Sequence, residues 1–293
     1  MGRGPRPHRA YTKRWRRPAV VLALAIAGVS AATGIALAAA SSTVSVFSFS
    51  PSNPHGLVTS GRLHFGTNTT YTGPTETTTR IQLQFDDDFQ FNPDAFPKCN
   101  PADISGNITM QQALQECGPA AGAANNAWLW PAAAGFSNGT AQFELGPEGP
   151  TACVLVFNGS GSTSEVLLFI RAKVDQLAGP IDCAGPANNT DGDTSFVVQG
   201  DLKANPAIGG DYTDPDNCSA PGPRQGCQID FNNVSNGPMR LARLNVVRIM
   251  RANWVRARCV DAPAGNRQWN LRATFTYATP AGTQTVNKSQ TCT

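Results

Sequence analysis

Between Ile81 and Gly118 the spacing of apolar side chains changes period, and the change separates two kinds of element. Ile81, Leu83 and Phe85 alternate with Gln82, Gln84 and Asp86, the period-two pattern of a strand with one buried face, and Phe89 and Phe91 resume it beyond Asp86-Asp87-Asp88. Pro93, Pro97 and Pro101 remove backbone donors and end the extended run. Thr109 then precedes Gln112 at capping-box spacing, Ile108 and Ala113 flank it as a hydrophobic staple, and Gly118-Pro119 supplies a stop. This spacing predicts one short helix over Met110 to Cys117.

Strand-like runs separated by Gly, Pro, Asn, Asp, Ser and Thr clusters fill the rest of the chain from Ser42. They are Val44 to Phe49, Leu57 to Phe65, Thr140 to Leu145, Cys153 to Phe157, Val166 to Val174, Phe196 to Leu202, Leu241 to Ile249, Trp254 to Cys259, Trp269 to Tyr277 and Thr283 to Cys292. A parallel α/β sheet needs a helix-length segment after nearly every strand, so the pattern predicts an all-β fold, a β-sandwich built as one large or two smaller units. Gly118 to Gly139 and Ala204 to Gly226 are the least regular stretches. The second is rich in Pro, Gly and Asp and is a candidate internal domain boundary.

The N-terminus has a different pattern. Residues 1–18 hold seven basic side chains and no acid, and Ala19 to Ala40 is an apolar run ending Ala-Leu-Ala-Ala-Ala, which is the composition of an export signal over residues 1–40. The alternative is an uncleaved anchor, since the run is long enough to span a bilayer, and membrane contact is expected only in that case. Arg16-Arg17 is a weak match to a twin-arginine signal, because Pro18-Ala19 follows where bulky apolar residues are usual.

Setting the signal aside changes the charge argument. Seven of the 23 basic residues and none of the 20 acids lie within it, so the remainder carries sixteen against twenty, a net charge of about −4. The basic balance of the whole chain therefore gives no reason to expect nucleic-acid binding. All eight cysteines lie beyond the signal, which in an exported chain predicts disulfides. They fall in neighbouring couples, Cys99 with Cys117, Cys153 with Cys183, Cys218 with Cys227 and Cys259 with Cys292, and each couple closes a loop that begins or ends on an expected element. Bonds in sequence order are the expectation, each contributing about 2 to 4 kcal/mol.

Signals for chemistry are sparse. There is no Gly-x-Ser-x-Gly elbow, no phosphate-cradling loop, no dinucleotide fingerprint and no CxxC knuckle, so no cofactor and no metal are expected. Asp86-Asp87-Asp88 and the group Asp191, Asp193, Asp211, Asp214 and Asp216 read as solvated turns, because their spacing matches no calcium loop. The sharpest asymmetry is charge segregation. Residues 240–293 hold nine basic side chains against one acid, Asp261. Arg243, Arg248, Arg251, Trp254, Arg256, Arg258 and Arg272 are therefore the candidate binding residues, and an anionic cell-wall polymer or glycan is the partner they suggest. The function expected is that of a secreted or cell-surface non-enzymatic binding or structural protein of the envelope. The alternative is a carbohydrate-active enzyme using paired carboxylates.

The strand ending FDDDFQFN, then FPKC and the helix to Gln115-Glu116-Cys117-Gly118, then CVLVFNG, VLLFIRAKV, VRARC, the Trp269 strand and a final cysteine make up a pattern. It resembles a set of uncharacterised secreted bacterial proteins over most of residues 80–293. The resemblance implies an all-β, disulfide-bonded extracellular fold and carries no activity, catalytic residue or ligand with it.

Overall fold

A computed structural model describes residues 40–52, 59–71, 77–122, 124–129, 137–144, 151–161, 165–173, 181, 183, 194–206, 212, 218, 223–232, 234, 241–259, 267–278 and 282–292. All of these belong to one compact unit, 38–293, and residues 1–40, over which an export signal is expected, lie outside the described residues apart from Ala40. The strands are β1 (Ser41–Ser50), β2 (Thr59–Ser60), β3 (Arg62–Thr70), β4 (Thr78–Phe85), β5 (Phe89–Phe91), β6 (Gly139–Glu144), β7 (Thr151–Asn158), β8 (Val166–Ala172), β9 (Thr194–Ala204), β10 (Arg224–Gln225), β11 (Cys227–Asn232), β12 (Leu241–Ile249), β13 (Val255–Ala257), β14 (Gln268–Tyr277) and β15 (Thr283–Thr291). One α-helix, α1, spans Met110–Cys117.

Eleven strands form one antiparallel sheet in the order β1-β3-β12-β6-β7-β8-β9-β11-β4-β14-β15, and the sheet curls until its two edges meet. An odd number of alternating strands leaves the two edge strands parallel, so the last junction cannot be another antiparallel ladder. Side chains close it instead. Gln284 on β15 donates to the Ser42 carbonyl (3.0 Å) and accepts from the Ser42 amide (2.7 Å). Gln290 does the same for Phe49, at 3.0 and 2.5 Å. Each carboxamide thus offers the donor and acceptor that a neighbouring strand's backbone would supply.

The expected sandwich is corrected by this closure. The large sheet is nearly a closed barrel rather than two sheets facing each other, because sandwich and barrel share the same inward and outward alternation and differ only in which strands pair. The expected helix forms as read. Thr109 Oγ1 accepts from the Gln112 amide at 3.1 Å, Gln112 returns the bond to the Thr109 amide at 2.8 Å, and the Gly118 amide donates to the Leu114 carbonyl at 2.9 Å. A strand not expected from the sequence, β11, lies between β9 and β4. It binds the far side of the 204–226 stretch directly to β9, so that stretch joins neighbouring strands of one sheet.

Two layers cover the barrel. β7 and β8 are buried on both faces, which their near-continuous apolar runs require. Val154, Val156, Leu168 and Ile170 face the interior. Leu155, Phe157, Leu167 and Phe169 face outward, under Ile104, Met110, Leu114 and Trp128 of the helical excursion. A second, four-stranded sheet, β10-β5-β13-β2, lies across the end where β1 and β4 finish and β14 begins. There Phe47, Phe49, Phe85, Phe89, Phe91, Trp254 and Trp269 form an aromatic plug with ring centroids 5.0–6.2 Å apart. The buried Trp254 Nε1–H donates to Asn158 Oδ1 at 2.9 Å, and the Asn158 carboxamide donates to the carbonyls of Pro93 and Pro97, each at 2.9 Å. This asparagine therefore ties the plug to the barrel wall.

All four disulfides join the neighbouring couples: Cys99–Cys117, Cys153–Cys183, Cys218–Cys227 and Cys259–Cys292. No cysteine is free among the described residues, and four bonds of this kind indicate an oxidising environment.

Candidate functional site

The C-terminal arginines do not share one face. Trp254 is fully buried in the plug, and Arg251 donates to the Asn126 carbonyl at 2.6 Å and lies 5.4 Å over the Phe96 ring. Burial lowers the pKa of Arg251, as expected of a cation whose partners are carbonyls and a ring face. Arg258 pairs with Asp88 at 3.2 Å and Asp87 at 3.5 Å, so the acidic run of the sequence is the partner of its basic one. Arg256 sits on β13, one of the two inner strands of the plug sheet, and Arg272 lies 4.8 Å over the Tyr212 ring and donates to Asn287. Arg243 is exposed and donates to Gln142 at 3.3 Å. The side chain of Arg248, together with Arg240, Asp261, Asp191, Asp193, Asp211, Asp214 and Asp216, lies outside the described residues.

The acids that do converge were not singled out by the sequence. On the outer face of β9, β11 and β4, Asp230 is completely buried beneath Arg80 (2.6 and 2.5 Å) and Lys203 (3.0 Å). Burial alone would raise its pKa, but the hydrogen bonds from Arg80 and Lys203 outweigh it and hold the carboxyl below the ordinary range. Lys203 also reaches Asp201 at 3.0 Å. Asp201 is hydrogen-bonded to Glu165, which accepts from the Leu202 amide at 3.2 Å and from Arg224 at 3.1 Å. Burial first, and the contact with Asp201 second among the raising effects, push the Glu165 carboxyl up. The two carboxyls meet on the wall of an open polar cleft of about 570 Å³. They touch, whereas glycoside hydrolysis uses carboxyls about 5 to 9.5 Å apart with the sugar between them. Each is also engaged by the wall's own cations. Among the described residues no group of three or more His, Cys, Asp or Glu converges as a metal site.

The concavity best suited to a ligand is inside the barrel, at the end opposite the plug. It is a cavity of about 40 Å³, lined by inward side chains of β3, β4, β8, β9, β11 and β12: Phe65, Leu83, Leu168, Ile170, Val198, Phe231 and Leu244, with the hydroxyls of Thr67, Thr69, Tyr71 and Thr78 among them. A site of this measure needs about 10 to 15 Å³ per water, so the cavity holds roughly three small groups before anything moves. Most of these hydroxyls are already satisfied. Tyr71 and Thr78 bond each other at 2.5 Å, Thr69 bonds Ser42 at 2.7 Å, and Tyr277 donates to Ser42 at 2.5 Å. Burial raises the Tyr71 pKa, so that phenol stays protonated. At the rim stands Phe196, opposite Ile170 in the β8–β9 ladder and in the same inward register as Val198. It is 36 % exposed, the one large hydrophobic side chain among the described residues so exposed.

Strand parity separates this lining from the charges around it. Ala242 and Leu244 turn inward, and Arg243 between them turns to the outer face with its partner Gln142. Fold and site together define a plugged, disulfide-stapled, eleven-stranded near-barrel with an apolar mouth. Comparison with family models, curated proteins and solved structures finds no significant match to the chain.

Proposed function

We propose that this is a secreted or cell-surface, non-enzymatic binding protein that takes a small apolar ligand into the mouth of its barrel. The observation that carries the reading is the apolar cavity with Phe196 exposed at its rim, since concave apolar sites in barrel mouths are a common place for small ligands. The four disulfides and the export-type composition of residues 1–40 support the extracytoplasmic location. The binding surface moves from the C-terminal arginines to the mouth because Trp254 is buried and Arg251 and Arg258 are engaged within the fold.

The test is titration with the neutral, environment-sensitive dye N-phenylnaphthylamine. The expected result is saturable binding to the wild-type protein and none to Val198→Trp, whose indole fills the cavity, with the far-ultraviolet circular dichroism unchanged. Leu244→Trp fills the same space from β12, where the wall is only half buried, and serves if the first variant does not fold. Unchanged dye affinity in a folded filled variant overturns the reading.

A further inference from the structure

Resting on the reading of the mouth as a ligand site, we infer that the ligand is uncharged and carries one hydrogen-bonding atom read by the Thr67 hydroxyl. Three observations lead there.

The first is the absence of inward charge. Of the residues lining the cavity only Arg243 is ionic, and its side chain is turned outward onto Gln142. A carboxylate or ammonium entering this site finds no counter-charge and loses its hydration, a large penalty against a neutral group of the same size.

The second is the state of Thr67 itself. It sits on β3 in the inward register, is 5 % exposed, and lines the cavity. The hydroxyls of Thr69, Tyr71 and Thr78 have partners, but the Thr67 hydroxyl, on a residue whose backbone lies in the β3 ladders, has none among the described residues. Buried hydroxyls are nearly always paired, and one left open toward a cavity is a recognition group awaiting its partner.

The third is the order of groups along the wall. Thr67 pairs with Leu244 across the β3–β12 ladder, one inward position deeper than Thr69. Phe196 stands at the rim. A ligand with its polar atom at Thr67 therefore runs its hydrocarbon part outward past Ile170 and Val198 toward Phe196. The chemical class that fits is a short alcohol, ketone or ester with an alkyl tail, of which the first few atoms are enclosed.

The experiment displaces N-phenylnaphthylamine with n-hexanol, n-hexane and hexanoate at neutral pH, for the wild type, Thr67→Val and Thr67→Ser. Valine keeps the shape and removes the hydroxyl, and serine keeps the hydroxyl. The expected result is that the ratio of hexanol to hexane affinity falls by about three- to tenfold in Thr67→Val and is held in Thr67→Ser. Hexanoate is expected to displace the dye at least about a hundredfold less well than hexanol. An unchanged ratio in Thr67→Val, or hexanoate binding as well as hexanol, overturns the inference while dye binding keeps the mouth as the site. Failure of the dye and all three compounds to bind overturns the mouth reading itself.

Discussion

Replacing Gln284 and Gln290 by alanine tests how the barrel is closed. Each carboxamide makes two hydrogen bonds to one β1 residue, four in all at 2.5–3.0 Å, and these side-chain bonds stand where a strand ladder would otherwise run. A hydrogen bond of this kind contributes about 0.5 to 1.5 kcal/mol net, so each substitution is expected to cost about 1 to 3 kcal/mol. The two glutamines stand six positions apart along β15, far enough for the costs to add. In a domain of this size each kcal/mol lowers the melting temperature by about 2 to 4 °C, and the double variant should lose roughly 4 to 24 °C. The assay pairs thermal unfolding with amide hydrogen exchange. Exchange at Ser42 and Phe49 should accelerate together, because their amides lose their acceptors. Ser289→Ala, exposed on the same strand, is the control and should change stability by less than about 0.5 kcal/mol. If the double variant melts within a degree or two of wild type and the two amides exchange as before, the glutamines do not hold the seam and the reasoning fails.

Three further outcomes follow from the polar wall and the outer layer. Glu165 has a folded pKa above its usual value, so the stability it contributes is present below the unfolded pKa of about 4.5 and is lost as pH rises through the raised value; Glu165→Gln should flatten the fall in melting temperature over that window, and an equal fall in both proteins would refute the raised pKa of Glu165. Asp230 is the opposite case, with its pKa held down and its contribution present above the unfolded pKa of about 3.8 and lost on acidification. Asp230→Asn should cost about 1 to 2 kcal/mol at neutral pH, discounted because Arg80 and Lys203 are each about 40 % exposed, and progressively less as the pH is taken below about 3.8, as read by urea unfolding. Cys99→Ser with Cys117→Ser opens a loop of 18 residues and should cost about 3 kcal/mol, with proteolysis appearing first around α1.

Much of the fold was legible because local rules dictate it. Thr109, Gln112 and Gly118 specify α1 through bonds within one turn, and the alternation in β4 and β14 assigns each side chain a face whatever the partner strand. The cysteine couples were readable for the same reason, since short loops bring their ends together at little entropic cost. The β11 segment, Cys-Gln-Ile-Asp-Phe-Asn, alternates as cleanly as the rest, but its place beside the loop-like 204–226 stretch hid it and it was not among the expected strands.

What the sequence determined by itself was most of the strands with their buried faces, the one helix with its caps and the cysteine couples, all properties of neighbours along the chain. Tertiary structure alone decided which strands pair, and with that the barrel, the plug and the parallel seam bridged by Gln284 and Gln290. It also decided the site. Arg258 meets Asp88 across 170 positions, Glu165 meets Arg224 across 59, and Thr67 faces Leu168 and Val198 only because the sheet closes. Charge in sequence reports how many cations lie in a segment, whereas binding depends on which remain unsatisfied and which way they face. Those two quantities are set by long-range pairing, where a shift of one residue in register turns every side chain of a strand to the other face.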